Sequence, residues 1–231
     1  MDLQSNSVRQ TGPYTSKAKI NSKLMRKDVT PDGNLEKLVW KNAQWVRFDH
    51  DWAGKQRYPG AETRVASRWT SSQVYFAFWC KYSTLNIFRG ENAAKEKYGL
   101  WEKDVVEVFL NPEPRRVEQY YEFEVAPNNM WIDLSIDLAK RPFHDESWNS
   151  RFLHATQVQK GIWTCEMRIP VATMTARGFR LRSGTQWRVN FYRADGEGDN
   201  ARRRLLAWSP TLSPKPNFHV PTRFGLIHFV R

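Results

Sequence analysis

Hydrophobic and polar residues follow a period of two in short runs along most of the chain. In one run Val74, Phe76 and Phe78 share a face, and in another Trp163 and Cys165 do. A period of two is the pattern of β-strands that bury one face. The runs with this pattern are residues 45–48, 63–69, 74–82, 104–110, 120–125, 131–136, 163–169, 186–192 and 224–230.

Turn-forming residues separate the runs, and helical periodicity is scarce. Asn111-Pro112 and Gly184 each lie between two runs, whereas a helical pattern is confined to residues 171–176 and one turn at 93–97. Many short strands separated by turn signals are typical of a β-sandwich. We therefore predict an all-β fold, an antiparallel β-sandwich of the jelly-roll or immunoglobulin-like kind with one or two short helices.

The pattern divides the chain into an arm and one domain. Residues 1–30 are polar, basic and without period, which predicts a flexible N-terminal arm. Strand patterns then fill residues 31–231, where we expect a single domain. The N-terminal residues lack the apolar stretch of a secretory signal, and no segment approaches the roughly eighteen apolar residues of a membrane span. We expect a chain without a membrane partner, secreted if a leader has been removed and cytoplasmic otherwise.

Positive charge is concentrated away from the middle of the chain. The net charge is +12, but residues 31–176 carry nineteen basic and nineteen acidic residues. Basic and aromatic residues interleave in the last third, which would suit nucleic acid or an acidic polysaccharide. These basic residues are Arg177, Arg180, Arg182, Arg188 and Arg202 to Arg204. We expect them to be solvated and partly neutralised by the acidic stretch 195–200, so nucleic acid is not the expected partner.

Aromatic residues and cysteines add two further expectations. Eleven Trp, eight Tyr and thirteen Phe exceed what a core of this size needs, so some rings should be exposed for binding. Cys80 and Cys165 each lie in a predicted strand, where buried free thiols are expected. A bridge between neighbouring strands stays open, because the sequence does not give their distance.

One segment carries a family resemblance. Residues 100–110, LWEKDVVEVFL, resemble the W-x-x-D-x-V-E-[IV]-F sequence of family 9 carbohydrate-binding modules. Four further features follow in that family's order: a D-G turn before a Trp, strands at 74–78 and 121–123, and the closing stretch 217–225, NFHVPTRFG. The resemblance covers roughly residues 31 to 231.

The resemblance implies a β-sandwich module that grips the end of a glycan between two aromatic rings, with polar side chains and in some members calcium nearby. Trp101 matches the family's first clamp ring, and Glu107 matches a carboxylate that contacts the sugar. Phe218 stands where the second clamp Trp would be, and Glu124 replaces an Arg. These two departures leave the identity of the sugar open.

Strand periodicity places other polar residues beside the expected clamp. Glu122 and Glu124 share a strand face and, with Glu107, form an acidic cluster in the prediction. The cluster could contact sugar, attract a cation, or pair with Arg188 or Arg193, which is the default interpretation. The donors predicted to complete the sugar site are Asn190 and Arg193.

We predict a non-catalytic binding protein for an oligosaccharide or polysaccharide, associated in function with glycoside hydrolases. A glycosidase would need a carboxylate pair about 5 to 10 Å apart, a distance that the sequence does not give. The five His residues show no metal-ligand spacing, and no G-x-S-x-G motif occurs. We assign no catalytic residue and no metal ligand. No cofactor is required in this prediction, and calcium is left open because residues 195–200 contain oxygen ligands and glycines.

Overall fold

Strands dominate the computed structural model, which describes residues 13–90, 93–196 and 202–231. Within these ranges it contains thirteen strands and one short α-helix. They are β1 (Lys19–Leu24), α1 (Leu38–Lys41), β2 (Trp45–Phe48), β3 (Thr63–Trp69), β4 (Gln73–Lys81), β5 (Val105–Asn111), β6 (Gln119–Val125), β7 (Trp131–Asp137), β8 (His144–Asp145), β9 (Leu153–Gln159), β10 (Ile162–Pro170), β11 (Gln186–Asp195), β12 (Arg204–Ala207) and β13 (Gly225–Val230). Single 3₁₀ turns include Leu100–Glu102 and Val171–Thr173.

The strands form one curled sheet whose two halves face each other. Its strand order is β8-β7-β6-β5-β11-β13-β1-β3-β4-β10-β9, with β12 beside β11 and β2 beside β3. Although β4 and β11 are distant in this order, the ring of Phe191 lies 5.5 Å from that of Phe76 and 6.0 Å from that of Phe78. The two halves therefore pack face to face, which confirms the predicted β-sandwich, mostly antiparallel and with few helical residues.

The predicted flexible arm is wrong for part of its length. β1 lies inside the sheet, where it pairs in parallel with β13 and with β3 and buries Ile20 and Ser22. It joins the two halves of the sandwich, and it is the place where the sheet departs from the antiparallel pattern. A single buried Ile between Lys and Asn is too short a signal to predict a strand, so pairing with its neighbours decides its structure. The first twelve residues of the predicted arm, 1–12, lie outside the part of the chain that the structure describes.

The sandwich core consists of the strand faces that period two predicts. Val74, Phe76 and Phe78 from β4 pack with Trp163 and Cys165 from β10, all fully buried. Cys80 and Cys165 are both free and buried, and burial raises the pKa of the Cys80 thiol to about 12. Thiols of this kind act as small apolar side chains.

A second apolar cluster covers the outer face of β5, β6 and β11. Phe109, Tyr120 and Tyr192 project from these strands, and Leu100 and Phe224 from connecting segments pack over them. As a result β5 is buried along its whole length on both faces. Side chains on the outer face of these strands are thus enclosed by protein, and the candidate site is built from them.

Candidate functional site

A pocket lies on this outer face, with strand residues at its base and connecting segments around it. Its lining combines three glutamates with aromatic and aliphatic side chains. The lining residues are Trp101, Glu107, Phe109, Glu122, Glu124, Leu134, Ile136, Phe143, His144, Ala194, Leu205, Pro216, Asn217, Phe218 and His219. Four of the residues predicted from the sequence, Trp101, Glu107, Glu124 and Phe218, therefore meet in one pocket.

Trp101 is held at the pocket by its main chain. It lies in the 3₁₀ turn Leu100–Glu102, which follows Gly99 at φ 80°, a conformation that glycine adopts without strain. Arg203 donates hydrogen bonds to the carbonyl oxygens of Trp101 (2.8 Å) and Lys103 (2.6 Å). The Trp101 ring is half-buried and packs edge-on against Tyr98, with ring centres 5.0 Å apart. The turn is fixed from behind while the ring remains partly open to a ligand.

Phe218 is the second aromatic wall, and it is positioned by Tyr192. The two rings stack with centres 4.1 Å apart and planes 11° from parallel. The buried Tyr192 hydroxyl also donates a 2.8 Å hydrogen bond to the Phe218 carbonyl oxygen. One face of the Phe218 ring is therefore covered by protein, and the half-buried side chain lines the pocket.

Three glutamates form the polar part of the pocket. Glu107 on β5 lies directly across from Glu124 on β6, and Glu122 is two residues earlier on the same face. Their exposed fractions are 2%, 0% and 3% for Glu107, Glu124 and Glu122. A carboxylate oxygen from each lies within 4.8 Å of the others. Both oxygens of Glu124 and one each of Glu107 and Glu122 lack a hydrogen-bond donor from the described residues.

This arrangement favours protonation of the glutamates. Burial, followed by repulsion from Glu122, raises the pKa of Glu107 well above its ordinary value, although the Arg203 guanidinium opposes the shift. The pKa of Glu124 is raised in the same way, by burial and then by both neighbouring carboxylates. Burial raises the pKa of Glu122 to about 7, and the interaction with the Glu124 side chain moderates the shift. The three glutamates therefore hold protons that a cation or hydroxyl donors could replace.

These raised pKa values predict how stability changes with pH. A glutamate titrates near about pH 4.3 in the unfolded chain, so the folded protein binds more protons from there upward, to about pH 7 for Glu122. In this window these groups make the free energy of unfolding fall as pH rises. We expect Glu124→Gln to make that fall shallower, by up to about 1.4 kcal/mol per pH unit. Urea unfolding between about pH 5 and about pH 8 measures it.

Two histidines change the pH dependence of the free energy of unfolding in the opposite direction, so the effect of Glu124→Gln is compared with that of a control variant. Burial lowers the pKa of His154 and of His219 to about 4, so their contribution is lost as pH falls below about 6.5. Glu102→Gln removes an exposed carboxylate next to Trp101 and should follow the wild-type curve. If Glu124→Gln also matched the wild type at every pH, the raised pKa of Glu124 would be disproved.

Two residues predicted to contact sugar, Asn190 and Arg193, bind other parts of the protein in the structure. Asn190 is fully buried and donates to the Tyr192 hydroxyl at 2.7 Å and to the Ser209 carbonyl oxygen at 2.8 Å. Arg193 is also fully buried, pairs closely with Asp195 and donates to the Ala61 carbonyl oxygen at 3.1 Å. Neither lines the pocket, so the prediction that they donate to sugar hydroxyls is wrong. Other segments cover both faces of β11 at these positions. Strand periodicity shows which face a side chain lies on, but not whether that face is covered.

The predicted ion pairing of the acidic cluster also differs in the structure. Arg193 pairs with Asp195, and the Arg188 guanidinium lies over the Tyr14 ring at 4.2 Å. The cation whose charge acts on the glutamates is Arg203, which the sequence placed in an exposed basic run. Arg203 is buried beneath the pocket, so its role depends on tertiary contacts.

Several lining residues were not predicted to belong to the site. His219 follows Phe218 directly, and its Nδ1 lies 2.7 Å from the Tyr120 hydroxyl, so the neighbouring aromatic could have indicated it. His144 lies in the two-residue strand β8 and Phe143 directly precedes it, and the pairing of β8 with β7 brings both to the pocket. A strand of two residues leaves no periodic pattern, and these two carry no sequence signal for the site.

The basic run in the last third does not form a continuous charged stripe. Arg203 points inward, and Arg204 pairs closely with Asp195, while Arg177, Arg180 and Arg182 are exposed. The carboxylate of Asp195, the first residue of the acidic stretch, is paired with two arginines. Residues 197–200 of that stretch lie outside the described residues. Over the described ranges, no helix has the length and apolar character to cross a membrane.

Comparison with known proteins identifies relatives of the same architecture. A crystal structure of a candidate carbohydrate-binding protein from Bacteroides uniformis matches 93% of this chain and 100% of its own, with TM-score 0.75 and 20% identity. A family 9 module from Caldicellulosiruptor kristjanssonii, solved with cellotriose, matches 92% of this chain and 94% of its own, with TM-score 0.65 and 17% identity. A glucose complex of a family 9 module from the same organism gives TM-score 0.60 at 17% identity, over 93% of this chain and 97% of its own.

Sequence comparison adds a relative and a family. An extracellular protein of Arthroderma benhamiae is 25% identical over 202 residues, which are 80% of this chain and 85% of that protein. The model of the carbohydrate family 9 binding domain-like family matches residues 31–231, the same range over which the motifs around Trp101 and Phe218 occur. The chain therefore belongs to the carbohydrate family 9 binding domain-like family.

Proposed function

We propose that this protein is a non-catalytic carbohydrate-binding protein that holds a glycan end or a small sugar between Trp101 and Phe218. The observation that carries the proposal is the placement of two half-buried aromatic rings around three buried carboxylates in one pocket. The cellotriose and glucose complexes of the Caldicellulosiruptor modules support it, since those proteins share the fold.

The chemistry of the lining suits a sugar. A pyranose presents C–H groups on its faces and hydroxyls at its rim, so flat rings cover the faces while planar polar groups meet the rim. Trp101 and Phe218 supply the rings, and the glutamates supply acceptors whose oxygens lack donors. Each hydroxyl bond to a charged acceptor contributes about 1.5 to 3 kcal/mol. The strand side chains close the base of the pocket, which favours a chain end over a chain interior.

The geometry of the carboxylates favours binding over hydrolysis. Glycosidases place two carboxyl groups about 5 to 10 Å apart, on either side of the bond they cleave. Here Glu107, Glu122 and Glu124 project from the same face of two neighbouring strands, so they gather together and do not flank a bond from two sides. We propose that the protein cleaves no glycosidic bond and that glycoside hydrolases acting on the same glycan are its partners in function. Release of reducing sugar from a glycan panel would contradict the non-catalytic proposal.

Calorimetry with glucose, cellobiose, cellotriose and xylose tests the proposed function. We expect binding with a dissociation constant of about 1 to 100 μM for at least one of them, corresponding to about −8 to −5 kcal/mol. A chelator in the buffer should leave the affinity unchanged, because we propose no cofactor. Calcium-dependent affinity would contradict that part of the proposal. If calorimetry detected no binding of any neutral sugar or of glucosamine, the proposed sugar-binding function would be contradicted.

A further inference from the structure

Three acidic side chains gather in the pocket near one buried arginine, among the residues that the structure describes. Glu107, Glu122 and Glu124 are all at least nine-tenths buried, and the Arg203 guanidinium is the cation that acts on Glu107 and Glu124. Arg203 is already committed to two main-chain carbonyl oxygens. Burial and mutual repulsion keep protons on these carboxyl groups, and a ligand that brings positive charge can replace those protons, so it gains more from this pocket than a neutral ligand does.

Unpartnered oxygens show where such a charge would lie. Both oxygens of Glu124 and one oxygen each of Glu107 and Glu122 are enclosed by the protein and have no donor among the described residues. The three side chains that carry these oxygens line the pocket. A buried acceptor without a donor is costly, and a ligand that supplies donors removes the cost.

The spacing of the three carboxylates matches a primary ammonium group. An ammonium has three N–H donors, and acceptors placed about 2.8 Å from its nitrogen in tetrahedral directions lie about 4.6 Å apart. In this cluster one oxygen from each glutamate lies within 4.8 Å of the others. This spacing is compatible with one ammonium that donates to all three side chains.

The walls of the pocket favour an organic cation over a metal ion. Trp101, Phe143 and Phe218 line the space beside the glutamates, and aromatic faces attract cations that have lost part of their hydration. Calcium takes six to eight oxygen ligands and retains water where the protein supplies too few. Much of the remaining lining is aromatic or aliphatic, which would oppose a hydrated metal.

We propose that the pocket selects an amino sugar, with the protonated amine between Glu107, Glu122 and Glu124 and the pyranose ring against Trp101 and Phe218. The inference rests on the proposed sugar-binding function and narrows its ligand class. A glucosamine unit at a glycan end has this chemistry. N-acetylglucosamine lacks the charge, and glucose lacks the nitrogen.

Calorimetry with glucosamine, N-acetylglucosamine and glucose at about pH 6.5 tests the selectivity, since simple α-amines remain protonated below about pH 7.7. We expect the affinity for glucosamine to exceed that for either neutral sugar by about 10-fold or more. A factor of about 10 corresponds to the smallest contribution of one charge-assisted hydrogen bond to the free energy of binding. Potassium chloride at the same concentration as glucosamine hydrochloride controls for ionic strength. Glu124→Gln should lower the ratio of glucosamine affinity to glucose affinity about 10-fold. The control Glu102→Gln replaces an exposed carboxylate outside the pocket and should leave this ratio unchanged.

The outcomes separate this inference from the proposed function. Binding of neutral sugars with no preference for glucosamine would overturn the amino-sugar selectivity and leave the sugar-binding function standing. A ratio that Glu124→Gln and Glu102→Gln changed equally would assign the preference to the general negative field and overturn the site. Calcium chloride binding that competes with glucosamine and is lost in Glu124→Gln would make the cluster a metal site, and would also overturn the inference.

Discussion

Trp101→Ala is expected to abolish measurable sugar binding while leaving the fold intact. The side chain is half-buried at the pocket and packs edge-on against Tyr98, so its removal takes away one face of the sugar site. Truncation of a central aromatic in a binding site costs about 2 to 4 kcal/mol, which lowers affinity about 30- to 1000-fold. A wild-type dissociation constant of about 100 μM would then rise to about 3 to 100 mM, which is beyond what calorimetry detects.

A tryptophan elsewhere in the sheet provides the control for this loss. Trp79 on β4 is also half-buried, but its ring packs with Arg64, at 4.4 Å, and does not line the pocket. We expect Trp79→Ala to bind sugar with wild-type affinity. If Trp101→Ala retained the wild-type affinity as well, the assignment of the site would be refuted, although the fold would not.

Asp195→Asn should lower the free energy of unfolding by about 3 to 5 kcal/mol, the cost of breaking a buried ion pair on one side. Asp195 is fully buried and pairs with Arg193, itself fully buried, and with Arg204. Without the carboxylate, the Arg193 guanidinium would remain in the interior with Ala61 and Thr63 as neutral acceptors. Urea unfolding measures the loss, with an unchanged dependence on denaturant as the sign of an intact fold.

Two further variants test the cause of that loss. Arg204 keeps 27% of its side chain exposed, so Arg204→Ala should cost no more than about 1 kcal/mol. Replacing both buried partners, in Arg193→Met with Asp195→Leu, should recover most of the stability, because an apolar pair leaves no uncompensated charge. A double variant as unstable as Asp195→Asn would show that the charge of Arg193 is not the source of the loss.

Local patterns along the chain predict the strands and their inward faces. The alternation that begins at Val74 and at Trp163 reappears as the sandwich core, because side-chain direction in a strand depends only on the backbone period. The motif at 100–110 likewise places Trp101 in the segment just before β5 and Glu107 on the outer face of that strand. These features are encoded within one or two strands and need no knowledge of distant segments.

Other features depend on which segments meet. Glu122 and Glu124 were identified as sharing a face, but their burial follows from the segments that cover β6 on that side. Phe143 and His144 reach the pocket because β8 pairs with β7. β1 becomes a strand because β13 and β3 both offer it hydrogen-bonding edges. In each case the partner is remote in the sequence, and no local pattern carries the information.

The aromatic pair illustrates where this boundary lies. The β-sandwich, the family motif and the positions of Trp101 and Phe218 follow from the amino-acid sequence. The stacking of Tyr192 behind Phe218, the hydrogen bond by which Arg203 anchors the turn of Trp101, and the meeting of three buried glutamates in the same pocket follow only from the packing of distant segments. The physical reason is that strand periodicity is a property of the backbone, whereas burial, charge balance and hydrogen-bond partners arise only when separate segments pack together.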